Sequence, residues 1–95
     1  MPRHSLYLAV YDLSGDRERE HVAGVLEGFG LRVQKSAFEC RLTRSARERL
    51  LAQLTELKIE TGFLYLYELG RDPRRDAIGK SPPDHCGEAA HAYVV

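Results

Sequence analysis

The chain predicts an α+β sandwich, one sheet with both helices on a single face, in the order β-α-β(β)-α-β-β. Three observations carry this. Leu6–Asp12 and Phe63–Leu69 are short apolar runs rich in aromatic and aliphatic residues, the signature of strands. Two polar segments place their apolar residues at helical spacing. Between those helices, residues 31–42 read as extended chain.

The first strand, Leu6–Asp12, is apolar until it ends on a carboxylate where a helix begins. A buried, ionised carboxylate loses several kcal/mol on leaving water, of order ~5, unless something pairs with it. At the strand's carboxyl end Asp12 stays partly wet. There it either caps the turn or serves a metal or phosphate.

Ser14 and Asp16 offer N-caps for a first helix running to about Phe29. Val22, Val25, Leu26 and Phe29 form its apolar stripe, and Gly28 and Gly30 supply the stop. Leu31–Leu42 forms either one long bent strand or two short ones. Ser45 to Glu48 reads as a capping box opening a second helix to about Leu57. Leu50, Leu51, Leu54 and Leu57 are its buried stripe. Thr61-Gly62 turns the chain into the strand Phe63–Leu69, and Gly70 to Pro73 turns it again. Residues 76–90 lack periodicity and read as a loop or arm, and Ala92–Val95 as a short last strand.

Alternation assigns the sheet faces. Tyr7 and Tyr11 share one side of the first strand, with Leu8 and Val10 on the other. Phe63, Tyr65 and Tyr67 lie opposite Leu64 and Leu66. With the aliphatic sides toward the helices, an aromatic face is left uncovered. Such a face stacks bases or packs against a second copy; the burial a small domain needs favours the second copy. A chain of 95 residues buries only roughly 60–65% of its unfolded surface and gains from dimerising.

Formal charge is zero, with 14 basic and 14 acidic residues, so general attraction to polyanions is not implied. The charge is uneven, however. Arg32, Lys35, Arg41, Arg44, Arg47 and Arg49 face only Glu39 and Glu48 within their stretch, and residues 71–80 are also basic. Such patches hold a phosphate backbone in a salt-sensitive way. Cys40 and Cys86 fit reduced thiols. No run reaches the ~20 apolar residues of a membrane span, and no signal-peptide core opens the chain, so a cytoplasmic protein without membrane association is expected. Asp84, His85, Cys86 and His91 have no spacing that makes a closed zinc site.

Tyr11-Asp12 before a polar turn and helix, followed by Gly30-Leu-Arg-Val-Gln-Lys-Ser-Ala-Phe-Glu39, resembles the CRISPR-associated Cas-two family. The leucine-rich second helix and the Tyr65-Leu-Tyr67 strand extend the match over nearly the whole chain. The resemblance implies a ferredoxin-like β-α-β-β-α-β sandwich over residues 1–78. It also implies an extra C-terminal strand, within an arm at 79–95, that packs on the partner of a homodimer. It further implies a role in acquiring CRISPR spacers with the Cas-one integrase, as a metal-dependent endonuclease on RNA or double-stranded DNA or as a non-catalytic DNA-binding scaffold. Asp12 matches the family's metal position, for Mg²⁺ or Mn²⁺. With Arg19 and Arg32 it forms the expected catalytic set. His21 stands where the family often has a second arginine, which removes a permanent charge.

Tyr11, Gln34, Ser36, Phe38, Arg41, Arg44 and Arg47 are the expected nucleic-acid contacts. Phe38, sharing the Gln34 and Ser36 side, is expected at the dimer seam, and hydrogen-bonded structural pairing is the simpler role for Gln34 and Ser36. A metabolite-binding regulatory domain leaves the Gln34-to-Glu39 match unexplained. A metal-free ribonuclease lacks the His/Lys set near Asp12 that such chemistry needs.

Overall fold

A computed structural model describes residues 3–80. The elements are β1 (Ser5–Leu13), α1 (Asp16–Glu27), β2 (Leu31–Gln34), β3 (Ala37–Leu42), α2 (Arg44–Glu56) and β4 (Gly62–Gly70). They form one antiparallel sheet in the order β2-β3-β1-β4. This is the expected ferredoxin-like arrangement. Residues 31–42 form two strands, because Lys35 and Ser36 close a tight hairpin between them. The expected last strand at 92–95 and most of the arm lie outside the described residues.

Both helices pack on one sheet face. Val22, Ala23 and Leu26 of α1 and Leu50 and Leu54 of α2 enclose Tyr7, Ala9, Tyr11, Leu13, Phe38, Cys40 and Leu42. Val25, Phe29 and Leu57 pack at its margin. The first helix stops at Glu27, where the Gly28 and Phe29 amides reach back to Val25 and Leu26. The second begins two residues earlier than a Ser45 cap would have it. The Thr43 hydroxyl accepts the Ala46 amide at 3.1 Å, so Thr43 is the cap and the box at Ser45–Glu48 lies inside the helix.

The faces of β4 are as expected: Leu64 and Leu66 pack on the core, while Phe63, Tyr65 and Tyr67 are 45–53% exposed. Those of β1 are reversed. Tyr7 and Tyr11 face the helices, and Leu8 and Val10 join the open side. The cause is the pairing with β3, which sets the fully buried Phe38 opposite Ala9 and Cys40 opposite Tyr7. A bulky ring beside the smallest residue of β1 fills the layer under the helices. Phe38 is therefore a core residue and not part of a seam or a ligand contact. Tyr11, 4% exposed, is likewise no stacking surface.

Candidate active site

Strand parity brings Asp12 to the surface. It shares a side with Leu8 and Val10, on the open face, and lies directly across from Phe63. Among the described residues no side chain hydrogen-bonds or ion-pairs with its carboxylate. The open face is thus an apolar surface of Leu8, Val10, Phe63, Tyr65 and Tyr67 with an uncommitted acid at one end. The rings pack along β4, with Phe63 and Tyr65 centroids 4.7 Å apart and Tyr65 meeting Tyr67 edge-on at 6.0 Å.

At that end of β1 a cleft of about 610 Å³ opens between the strand, α1 and the β2–β3 hairpin. Asp12, Arg19 and Arg32 all line it, so three residues from three elements converge there. Lys35 and Ser36 line it too, as do Glu20 and Glu27. Arg19 is held by its own loop: it donates to the Leu13 carbonyl at 2.7 Å and ion-pairs with Asp16. The Arg32 guanidinium lies 5.1 Å above the Phe38 ring, a cation–π contact that fixes its stem while leaving the residue exposed.

The remaining expected contacts divide into a wall and a distant patch. Tyr11 donates its hydroxyl to the Lys35 carbonyl at 3.3 Å and its amide to the Ser36 carbonyl at 3.0 Å. The Gln34 side-chain carbonyl accepts from the Ser36 amide (2.9 Å) and hydroxyl (3.2 Å). Tyr11, Gln34 and Ser36 therefore build the hairpin that forms one wall of the cleft. Arg41, Arg44 and Arg47 do not reach it. Arg41 pairs with Leu6 at the far end of β1, about 20 Å from Asp12 at ~3.3 Å per residue. Arg47 packs over the Tyr7 ring at 6.0 Å.

Among the described residues no cluster of three His, Cys, Asp or Glu could hold a metal ion. An uncommitted carboxylate such as Asp12 nonetheless suits Mg²⁺, which usually takes one or two carboxylates and completes its shell with waters and phosphate. Asp12 fits that role. Cys40 is no nucleophile, since burial and the neighbouring Glu39 charge push its thiol up to about 11.

Two features had no warning in the sequence. Lys35 joins the cleft only because the hairpin turns there. Glu39, on the open face opposite Leu8, is 7% exposed and pairs with Arg75 at 3.2 Å. The chain after β4 thus folds back over the open face beside Leu8, away from Asp12. Burial holds the Glu39 carboxyl above its usual range, opposed by Arg75 and Arg41. Arg75→Ala lets it rise further. A carboxyl with a raised folded-state pKa binds its proton more tightly in the native state, so its contribution to stability is lost as pH rises through that value. The variant is expected to cost about 1 kcal/mol near neutral pH, the pair being partly exposed. Near pH ~4, where the carboxyl is largely protonated, the cost should almost vanish. Urea midpoints at the two pH values check this.

No helix of the described residues is long and apolar enough to cross a membrane. The family described as CRISPR associated protein Cas2 matches residues 5–77. CRISPR-associated endoribonuclease Cas2 of Mycobacterium tuberculosis is 39% identical over 62 residues, which are 65% of this chain and only 55% of that protein. CRISPR-associated endoribonuclease Cas2 1 of Chloroflexus aurantiacus is 42% identical over 93 residues, covering 94% of this chain and 98% of that one. The crystal structure of Streptococcus pyogenes Cas2 at pH 6.5 superposes with a TM-score of 0.69 at 30% identity, over 78% of this chain and 99% of the other. A chain of a partial Cas6-RT-Cas1–Cas2 complex does so with a TM-score of 0.56 at 29% identity, over 72% and 81%. With the Asp12 cleft, the fold and a family match across most of its length, the chain belongs to the CRISPR-associated Cas2 family.

Proposed function

We propose that this chain is a cytoplasmic CRISPR adaptation protein: a homodimer that binds nucleic acid together with a Cas1 integrase and cleaves phosphodiesters with Mg²⁺ or Mn²⁺ at Asp12. The observation that carries the reading is the convergence of Asp12, Arg19 and Arg32 on one cleft, with the carboxylate free of partners among the described residues. The names of the relatives support nuclease chemistry, and the Cas1–Cas2 complex supports the integrase partner.

The open aromatic face is the surface a second copy would cover, through Leu8, Val10, Tyr65 and Tyr67. Asp12 lies at its margin, so a two-fold axis nearby would bring both carboxylates toward one phosphate. Arg19, Arg32 and Lys35 hold that phosphate by charge, and the hairpin wall orients it. Bound at Asp12, Mg²⁺ or Mn²⁺ supplies an activated water and neutralises charge on the scissile group. The patch of Arg41 and Arg44, about 20 Å away, suits a longer stretch of backbone than the cleft accommodates.

The test is cleavage of single-stranded RNA and of double-stranded DNA by wild type and Asp12→Ala, with Mg²⁺, Mn²⁺ or EDTA. Cleavage that needs both metal and Asp12 supports the reading and identifies the substrate. Equal traces in both proteins overturn the catalytic assignment. The non-catalytic DNA-binding scaffold then becomes the working answer.

A further inference from the structure

Beyond β1 the chain is not held by its own helix cap. Gly15 stands at the N-cap of α1 and has no side chain to offer. Glu18, three residues on, is placed where a capping box would return its carboxylate to the Gly15 amide. Instead it turns outward. Its oxygens accept the Glu60 amide at 2.8 Å, the Thr61 amide at 3.0 Å and the Thr61 hydroxyl. That hydroxyl in turn accepts the Gly15 amide at 3.0 Å. The Thr61 carbonyl accepts both the amide and the hydroxyl of Ser14, each at 3.2 Å. Every polar atom of Thr61 is thus spent on residues 14–18, more than forty positions earlier in the chain.

We propose that Thr61 and Glu18 form a clasp that positions Asp12 and Arg19 in the cleft, so that both are positioning residues for the metal-dependent cleavage proposed above, on which this inference rests. The geometry is direct. Asp12 is the penultimate residue of β1, next to Leu13, whose pair is Gly62. Arg19 follows the clasped turn and returns to the Leu13 carbonyl. The only chain linking the two is the segment 13–18 that Thr61 and Glu18 hold. Fit is close as well as polar: a methyl group on Gly15 would stand 3.2 Å from the Thr61 side chain. The same hydrogen bonds, the Thr61 hydroxyl foremost, lower the Glu18 carboxyl below its usual value and keep it ionised as an acceptor.

Thr61→Val preserves shape and removes both bonds of the hydroxyl. Thr61→Ser restores the hydroxyl, and Glu18→Gln removes the charge. Each variant is compared with wild type for kcat and KM of cleavage, for Mn²⁺ affinity by titration with the metal alone, and for Tm. Thr61→Val is expected to lose at least ~10-fold in kcat with KM little changed, because orientation and not substrate contact is lost. Mn²⁺ binding should weaken in parallel, and Thr61→Ser should recover most of both. Glu18→Gln should behave as Thr61→Val, and serves in its place if that variant does not fold. Wild-type kcat and Mn²⁺ affinity in folded Thr61→Val or Glu18→Gln would overturn the clasp while leaving the functional reading intact. A wild type with neither cleavage nor Asp12-dependent Mn²⁺ binding would overturn the functional reading and the positioning role together.

Discussion

Asp12→Asn is expected to cut metal-dependent cleavage by at least ~10³-fold, equivalent to about 4 kcal/mol of transition-state stabilisation. The amide keeps the size and extended backbone of the acid but offers a neutral oxygen, a poor ligand for a hard cation. The fold should not notice. Asp12 is exposed near a strand end with no partner among the described residues, and substitutions at such positions stay within ~0.5 kcal/mol. Nucleic-acid binding should hold or tighten, since Arg19, Arg32 and Lys35 remain in the cleft and one negative charge leaves it. EDTA on wild type should reproduce the cleavage defect. Cleavage rates, melting curves and filter binding at a fixed salt concentration together separate lost chemistry from lost binding or folding. A variant that cleaves at the wild-type rate removes Asp12 from the mechanism.

Gly62→Ala is expected to be the most damaging small substitution in the sheet. An alanine Cβ there would overlap the Asp12 carbonyl oxygen and stand 2.9 Å from its carbonyl carbon and 3.1 Å from the Leu13 Cα. All three atoms are backbone of β1, so no side-chain rotation relieves the overlap. The β1–β4 pairing must part at the end that carries Asp12. The cost should reach about 3 kcal/mol, the upper part of the range for overpacking. In a domain this small that corresponds to a fall in Tm of more than ~10 °C. Gly24→Ala is the control. Its Cβ would meet nothing within 4 Å on the exposed side of α1, so it should stabilise by roughly 0.5–1 kcal/mol. Thermal melts of the two variants side by side distinguish a steric demand at position 62 from a general intolerance of alanine. Gly62→Ala melting near wild type would show that the strands shift at little cost.

Where a segment's own pattern was one-sided, the sequence was legible. The alternation of Phe63, Tyr65 and Tyr67 with Leu64 and Leu66 assigned β4 correctly, because only one of its sides is aliphatic. β1 is apolar on both sides, and hydropathy could not choose between them. The parity of Asp12 held the missing signal: it shares a side with Leu8 and Val10, so that side must be the wet one if the carboxylate is to stay ionised. The misplaced cap shows the same limit at short range. Thr43 and Ser45 are both good caps, and the side chain that meets an amide is settled by where β3 delivers the chain.

The sequence by itself determined the α+β order, the two amphipathic helices, the acid at the end of the first strand and the family motif from Gly30 to Glu39. Each is a property of residues a few positions apart, where period and capping preference act directly. Only the tertiary structure decided that Phe38 is core, that Arg32 and Lys35 line one cleft with Asp12 while Arg41 and Arg44 lie at the opposite end, that Arg75 covers Glu39, and that Thr61 holds the turn beneath Asp12. These contacts join residues that lie far apart in the chain. They form because the strand order β2-β3-β1-β4 is the one that buries Phe38 against Ala9 and both helix stripes at once. No local pattern encodes that choice, since it is made by how well distant surfaces fill a shared volume.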